Sequence, residues 1–535
     1  MEDWLFYSLT TLLCLLSSLL LRARIPGTKA HSAAAASSKP PLPPGPASLP
    51  VVGPLLFLAR RDFDFEPILR RIARDHGPVF TYAPLGPSRP TIFVASRAAA
   101  HRALVQRGAA FASRPPPASP AAALLTSGGR NVSSAPYGPT WRALRRNLAA
   151  GVVNPSRLRA FSPARRSVLA VLLSHLRASG ESPVAVMEPF QYAMFCLLVH
   201  MCFGGGGEGV ADEVVREIEA TQRELLGSFL SFQVFSFLPA LTKLLFRRRW
   251  EKLVSLRRRQ EELFLPLIHA RRDAGAGGDC YVDSLLNLTV PEDDGGGRRP
   301  LTDGEVVSLC SEFLSAGTDT TATALQWVLA NLVKNPAMQS KLRDEIAGVV
   351  DNAGDTTAAG EVREEDLQAM PYLKAVVLEA LRRHPPGHFV LPHATEDGDD
   401  ATLDGYRIPA GAPVNFAVAE MGLDGEVWEA PMEFRPERFL PGGEGEGVDL
   451  TGSKEIKMMP FGAGRRVCPG MALALLHLEY FVANLVREFE WREFEGEEVD
   501  LTEKLEFTVV MKQPLMARVV PLRSPPPPAV AAAGS

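Results

Sequence analysis

The strongest chemistry in this chain sits in one short loop, Phe461-Gly462-Ala463-Gly464-Arg465-Arg466-Val467-Cys468-Pro469-Gly470. An isolated cysteine is most often a small buried hydrophobe. Here Pro469 suits the first position of the apolar helix expected over Met471–Val486, which would put Cys468 at its N-cap. The helix dipole and unpaired N–H groups there favour thiolate over thiol, so the sulfur could act as a nucleophile or a metal ligand. Gly464 and Gly470 permit a tight turn and let the backbone approach a flat cofactor. Arg466 supplies a fixed cation for a nearby anionic group.

A second polar cluster, Ala316-Gly317-Thr318-Asp319-Thr320-Thr321, lies mid-way along a long helical pattern. Thr302 and Glu305 have capping-box spacing, and Asn335-Pro336 is a stop signal after Lys334. Such a helix would be about 48 Å long, enough to cross a domain. Gly costs about 1 kcal/mol inside a helix, and β-branched threonines help little. The pattern therefore predicts a functional kink or opening. An exposed polar turn fits less well, because Leu309, Phe313, Leu314, Leu325, Trp327 and Val328 flank it.

Other constellations each have a plainer reading. Glu379 and Arg382 are one helical turn apart, as in an ordinary surface ion pair. Trp141 and Arg145 could be a helix face with a solvated cation. His384 and His388 are four apart, but Pro385 and Pro386 prevent a shared helix, which argues against a zinc pair. Gly204-Gly205-Gly206-Gly207-Glu208-Gly209 matches GxGxxG, yet Phe195–Phe203 before it reads equally well as a helix end.

These residues must be carried by a large, mostly helical body. Val79–Tyr82 and Thr91–Val94 read as strands, and helical patterns dominate from Ala98. Loops are expected at 273–279, 292–299, 351–360, 396–400 and 442–447. Arg247–Arg249 and Arg257–Arg259 read as solvated helix faces. The chain has 535 residues with 57 Lys plus Arg against 61 Asp plus Glu, so no global basic field invites nucleic acid. Its 6 cysteines form no CxxC pair, which disfavours a disulfide scaffold or a zinc ribbon. Trp4–Leu21 is uncharged and would span about 27 Å as a helix. Glu2 and Asp3 precede it and Arg22, Arg24 and Lys29 follow, so it reads as a retained single-pass anchor with the body in the cytosol. The expected division is an anchor over 1–24, a linker with a proline-rich hinge over 25–54, a catalytic domain over 55–523 and a disordered tail over 524–535.

The loop Phe461-x-x-Gly464-x-Arg466-x-Cys468-x-Gly470 resembles the haem-binding loop of cytochromes P450. Glu379-Ala380-Leu381-Arg382 is similar to that family's E-x-x-R helix, and Pro431 to Phe439 to its P-x-x-F-x-P-x-R-F stretch. Ala316–Thr321 resembles its oxygen-activating helix, and Trp141 to Arg145 its W-x-x-x-R helix. The anchor and hinge resemble the microsomal members, and His384 to His393 resembles one plant branch, the family numbered 89. The resemblance implies a mainly α fold with small β-sheets and an N-terminal transmembrane anchor helix, in the endoplasmic reticulum membrane. It implies haem b (iron protoporphyrin IX) with Cys468 as axial ligand, a bond that favours O–O cleavage.

By the same resemblance, Trp141, Arg145, Arg466 and His393 would meet the haem propionates, though many relatives have Arg where His393 stands. Phe461, Gly464 and Gly470 would shape the loop, and Glu379, Arg382 and Arg438 would form a core network holding it. Thr320 would hydrogen-bond the distal oxygen of dioxygen while Asp319 relays protons. The pocket would draw on 111–131, 229–237, 387–391 and 508–510, with Phe313, Ala316, Val390 and Val509 among its lining, and would take a lipophilic small molecule. Electrons would come from NADPH–cytochrome P450 reductase, docked on a basic patch of Arg142, Arg145, Arg146 and Arg465. Competing readings are a haem-thiolate isomerase or dehydratase without reductase, a membrane-anchored nicotinamide dehydrogenase using the Gly204 loop, and a non-catalytic haem sensor.

Overall fold

The computed structural model describes residues 40–46, 66–83, 90–117, 119–180, 182–205, 210–236, 239–292, 296–352, 361–395, 400–494, 496 and 498–522. The expected anchor, most of the linker and the tail lie outside these residues. Among the described residues no helix is long and apolar enough to cross a membrane. The described part of the proline stretch is docked on the body, not a free spacer. Pro43 and Pro44 accept from the Thr81 hydroxyl and amide, both at 2.8 Å, and Pro41 accepts from the Arg407 amide at 2.7 Å.

Helix α1 (Glu66–His76) leads into the antiparallel strands β1 (Val79–Tyr82) and β2 (Thr91–Val94). Then come α2 (Pro139–Gly151), α3 (Met187–Phe203), α4 (Asp212–Phe232) and α5 (Arg247–Asp273). A hairpin of β3 (Thr289–Pro291) and β4 (Arg298–Pro300) precedes α6 (Asp303–Lys334). After α7 (Pro371–Arg383), β5 (Val414–Phe416) joins β2 in parallel, with Ile92 opposite Val414. α8 (Met471–Glu488) is followed by the antiparallel pair β6 (Glu503–Leu505) and β7 (Val509–Met511).

The core lies where α3, α6 and α8 meet. In α6 every residue from Thr321 to Val333 is buried, so this half of the helix runs through protein on all sides. Its start is the capping box of Thr302 and Glu305, and its end is at Asn335.

Three expectations need correction. Helical structure in α6 is continuous through Gly317, so there is no break there. The glycine instead admits α3: a Cβ on it would lie 2.7 Å from Leu198 Cδ1. Arg298 and Arg299 belong to β4, where they pair antiparallel with Pro291 and Val290 of β3. Arg257 is buried, bonded to Glu261, Gln260 and the Gly304 carbonyl, whereas a solvated face was expected. Phe195–Phe203 is the end of α3, as one of the two sequence readings had it, so no strand leads into the Gly204 loop and the nucleotide-binding reading loses its structural context.

Candidate active site

Cys468 sits in a closed loop whose shape comes from glycine. The Cys468 amide donates to the Phe461 carbonyl at 2.8 Å, bringing the two ends of the loop together. Gly464 has φ +69°, and a Cβ there would lie 1.9 Å from the Leu104 carbonyl oxygen, so only glycine fits. The N-cap of α8 is Gly470, two residues beyond the expected position. Cys468 thus lies just outside the helix start, and the dipole alone does not ionise it. Burial pushes its thiol up, opposed by the Gly470 N–H and the Arg145 charge. The residue as a whole is nevertheless only half-buried, and its thiol is free of any disulfide.

Beside this loop the structure gathers three half-buried arginines. Arg466 donates to the carbonyls of Ala112 at 2.7 Å, Val132 at 3.2 Å and Ala135 at 2.6 Å, and lies 4.2 Å over the Trp141 ring. Arg145 donates to the Val467 carbonyl at 2.5 Å, which ties α2 to the cysteine loop. Arg114 donates to the carbonyls of Ser133, Leu391 and Pro392. None of the three forms an ion pair among the described residues. Burial pushes Arg466 down to about 9, helped by repulsion from Arg114 and Arg145, and pushes Arg114 down to about 10. A cluster of cations satisfied only by main-chain carbonyls is suited to an anionic group with more than one carboxylate. The free thiol and this cluster together fit haem b, with its iron and two propionates.

Sequence reasoning missed Arg114, although it lies inside the expected 111–131 segment. Its only local signal is the rigid run Pro115–Pro117 that follows. Trp141 directs its indole N–H at the Val132 carbonyl, 3.1 Å away. His393 is buried, and its Nδ1 donates to the Phe111 carbonyl at 2.7 Å. Burial and the Arg114 and Arg466 charges push it down to about 3, so the ring is neutral and its Nε2 accepts.

On α6, Ala316, Thr320, Thr323 and Trp327 share one face. Ala316 is exposed in the middle of this long helix. The Thr320 hydroxyl donates back to the Ala316 carbonyl at 2.6 Å. Asp319 points elsewhere, toward α3 and α4. Gln191 donates to Asp319 Oδ1 at 3.1 Å, and Arg223 donates to Gln191 Oε1 at 2.5 Å and to Glu219 at 2.9 Å. Burial pushes the Asp319 carboxyl up, while Arg223 and Gln191 pull it back. A cleft with room for about one water is lined by Asp319, Thr318, Glu219 and Arg223, and the Thr318 hydroxyl has no hydrogen-bond partner.

The remaining candidates fall into two groups. Glu379, Arg382 and Arg438 are all fully buried. Arg382 is bidentate to Glu379 at 2.7 and 2.8 Å, and Arg438 Nε reaches Glu379 at 3.3 Å. Arg438 also bonds Glu444, whose carbonyl accepts from Lys457 at 2.9 Å, four residues before Phe461. Of the expected pocket residues, Val390 lies against the cysteine loop near Gly462, and Val509 is buried beside α6. Phe313 instead packs on Tyr281, with ring centroids 5.1 Å apart. Phe229, from one segment expected to line the pocket, meets Phe507, the residue just before another, edge to face at 6.5 Å.

A family model for cytochrome P450 matches residues 43–519. The chain belongs to the cytochrome P450 family, whose members are haem-b oxidoreductases of the monooxygenase class. It is 48% identical to cytochrome P450 89A9 of Arabidopsis thaliana over 491 residues, covering 90% of this chain and 94% of that relative. It is 32% identical to flavonoid 3'-monooxygenase CYP75B137 of Crocosmia x crocosmiiflora, covering 90% of this chain and 93% of that one. Among solved structures, retinoic acid bound cyanobacterial CYP120A1 superimposes with a TM-score of 0.71 at 22% identity, over 90% of this chain and all (100%) of that chain. A zebra fish cytochrome P450 with progesterone gives 0.69 at 23% identity, over 86% of this chain and 100% of that chain.

Proposed function

We propose that this enzyme inserts one oxygen atom from dioxygen into a lipophilic plant metabolite, with electrons drawn from NADPH through a partner reductase. The observation that carries this reading is the free Cys468 thiol beside three half-buried arginines that form no ion pair among the described residues. When bound, haem b would supply the dioxygen activation and the oxidising power, and Cys468 would hold its iron through the thiolate. Arg466, Arg145 and Arg114 would hold the propionates, with Trp141 braced beneath Arg466. His393 contributes on this side by anchoring the turn at Phe111, and a propionate close to its Nε2 would raise its pKa. Phe461, Gly464 and Gly470 give the cysteine loop its shape. Glu379, Arg382 and Arg438, through Glu444 and Lys457, hold that loop in place.

Proton supply belongs to Asp319 and Thr320. Asp319, raised toward neutrality by burial and opening on a water-sized cleft, takes a proton from the Gln191–Arg223–Glu219 side. Thr320 offers a hydroxyl on the Ala316 face, where it can pass a hydrogen bond to the oxygen side of the site. This acid–alcohol pair favours oxygen activation over a reductase-free isomerase. Ala316, Val390 and Val509, with Phe229 and Phe507 nearby, make an apolar lining, while Phe313 supports it from the Tyr281 side. The flavonoid oxygenases among the relatives support an aromatic, lipophilic substrate class. Exposed Arg142, Arg146 and Arg465 form the face for an acidic reductase. Arg145, turned inward to Val467, is not part of it. The uncharged run Trp4–Leu21 supports a single-pass endoplasmic reticulum anchor with the catalytic domain in the cytosol.

The test is a carbon monoxide difference spectrum of the reduced protein, followed by turnover with NADPH and reductase. Wild type should give a thiolate-type Soret shift and oxygen-dependent product. Cys468→Ser should lose that shift, and a variant spectrum matching wild type would remove Cys468 as the ligand.

A further inference from the structure

The two-stranded hairpin β6–β7 lies against the Thr323–Trp327 face of α6, yet among the described residues no third strand sets its tilt. Such a strand pair is marginal by itself, so its tethers decide where it sits. At its tip, the hydroxyls of Thr508 and Thr323 are 2.9 Å apart, and Trp327 Nε1 donates to the Val509 carbonyl at 2.8 Å. The Val509 amide donates to the Pro386 carbonyl at 2.9 Å. At its base, the Glu503 carboxylate meets two histidines of one loop. His384 Nδ1 hydrogen-bonds one oxygen at 2.7 Å, and His388 Nε2 lies 3.3 Å from the other as an ion pair without hydrogen-bond geometry. The other ring nitrogen of His388 is 2.6 Å from Glu66 on α1. His384 lies flat on Trp327, with ring centroids 3.9 Å apart and planes within 2°.

These contacts form a closed circuit. Trp327 holds the Val509 strand, His384 stacks on Trp327, and Glu503 links His384 to the strand whose Leu505 is paired with Val509. The histidines thus connect the oxygen-side helix to both ends of one hairpin. We infer that Glu503 is a specificity-positioning residue: gripped by His384 and His388, it sets how far the tip from Phe507 to Val509 stands off α6, and so sets the width of the substrate pocket. This rests on the haem-thiolate reading above, because the pocket is measured from the iron.

The charges agree with such a grip. Burial opposes a charged His388, but Glu503 and Glu66 push it up to about 9, so it is an imidazolium at neutral pH. Burial pushes His384 down to about 4, so it is neutral and donates one N–H to Glu503. Despite burial, the two histidines hold the Glu503 carboxyl well below its usual range. Arg383 stands 3.6 Å from Glu503, and Arg70 stands 3.9 Å from Glu66 and 2.6 Å from Glu420, completing the charged groups around His388.

Azole nitrogens bind ferric haem iron and move the Soret band, so azoles of different size measure the pocket without knowledge of the substrate. The holoenzyme is titrated with imidazole and with ketoconazole. Glu503→Gln and His384→Phe (which keeps the stacking ring and removes the donor) should each change the ketoconazole dissociation constant about tenfold, the scale of one hydrogen bond to a charged group. Imidazole affinity and haem content should stay within about twofold. In wild type, ketoconazole affinity should also change as the pH rises through about 9, where His388 loses its proton. Glu503→Gln should lose that dependence. If Glu503→Gln fails to retain haem, His384→Phe carries the same comparison. Equal responses to both azoles, or none, would overturn the proposal while leaving the haem reading intact. A wild-type protein that shows no azole-induced shift would overturn both.

Discussion

Gln191 was chosen by no motif, yet it decides where the acid of the site points. Its amide bridges the Asp319 carboxylate and the Arg223 guanidinium, so Asp319 faces the α3–α4 side and not the Thr320 face. Burial keeps the carboxyl inclined to hold a proton, and the Gln191 donor works against that. Gln191→Ala should therefore raise the Asp319 pKa further and lower product formed per NADPH by up to about tenfold. Haem content should not change. The check is the ratio of product to NADPH consumed, together with the solvent isotope effect, and an unaltered ratio would remove Gln191 from proton delivery. Cys468 carries a related lesson. Its thiol is pushed up by burial, so on the ligand role proposed above the charge on sulfur would come from the iron and not from the helix end.

At the scale of elements, the controlling fact is how closely α3 approaches α6. Leu198, itself buried, occupies the space a side chain at position 317 would need. Gly317→Val should cost about 1–3 kcal/mol by overpacking. Gly317→Ala should come out milder, because alanine regains up to about 1 kcal/mol of helix propensity. Thermal unfolding of the holoenzyme separates the two. The start of α6 has its own pH signature. Glu305 accepts from the Thr302 amide at 2.8 Å and pairs with Arg299 at 2.7 Å and Arg130 at 3.2 Å. Although burial opposes it, these partners pull its pKa down to about 2. That is below the ~4.3 of a free glutamate, so the stabilisation is complete above about pH 4.3 and is lost as the pH falls through about 2. Glu305→Gln should lower stability at pH 7 and flatten the loss of stability between about pH 4 and 2, as read by denaturant titrations across that window.

Over the whole molecule, charge is nearly balanced, but the cysteine side carries an exposed basic face. Arg142 and Arg465 both lie over Tyr137, at 4.8 and 5.5 Å, and Arg465 also donates to its hydroxyl at 2.7 Å. Reversing Arg142, Arg146 and Arg465 to Glu should slow reduction by reductase about tenfold or more and flatten its salt dependence, with azole binding unaltered. Stopped-flow reduction at two ionic strengths reads this directly. Much of the architecture was legible from local signals. The strands Val79–Tyr82 and Thr91–Val94, the capping box at Thr302 and the stop at Asn335 depend on neighbours within a few residues, and periodicity and capping report such neighbours directly. The loop from Phe461 to Gly470 was equally plain, because its glycines and cysteine answer to backbone geometry. Tertiary structure alone decided the rest. Gly317 looked like a kink and proved to be a place for Leu198, Arg257 looked solvated and is buried, and Arg114 and Gln191 were invisible among ordinary polar residues. Their partners lie far away along the chain, and the desolvation that gives each of them its task exists only once distant helices have packed together.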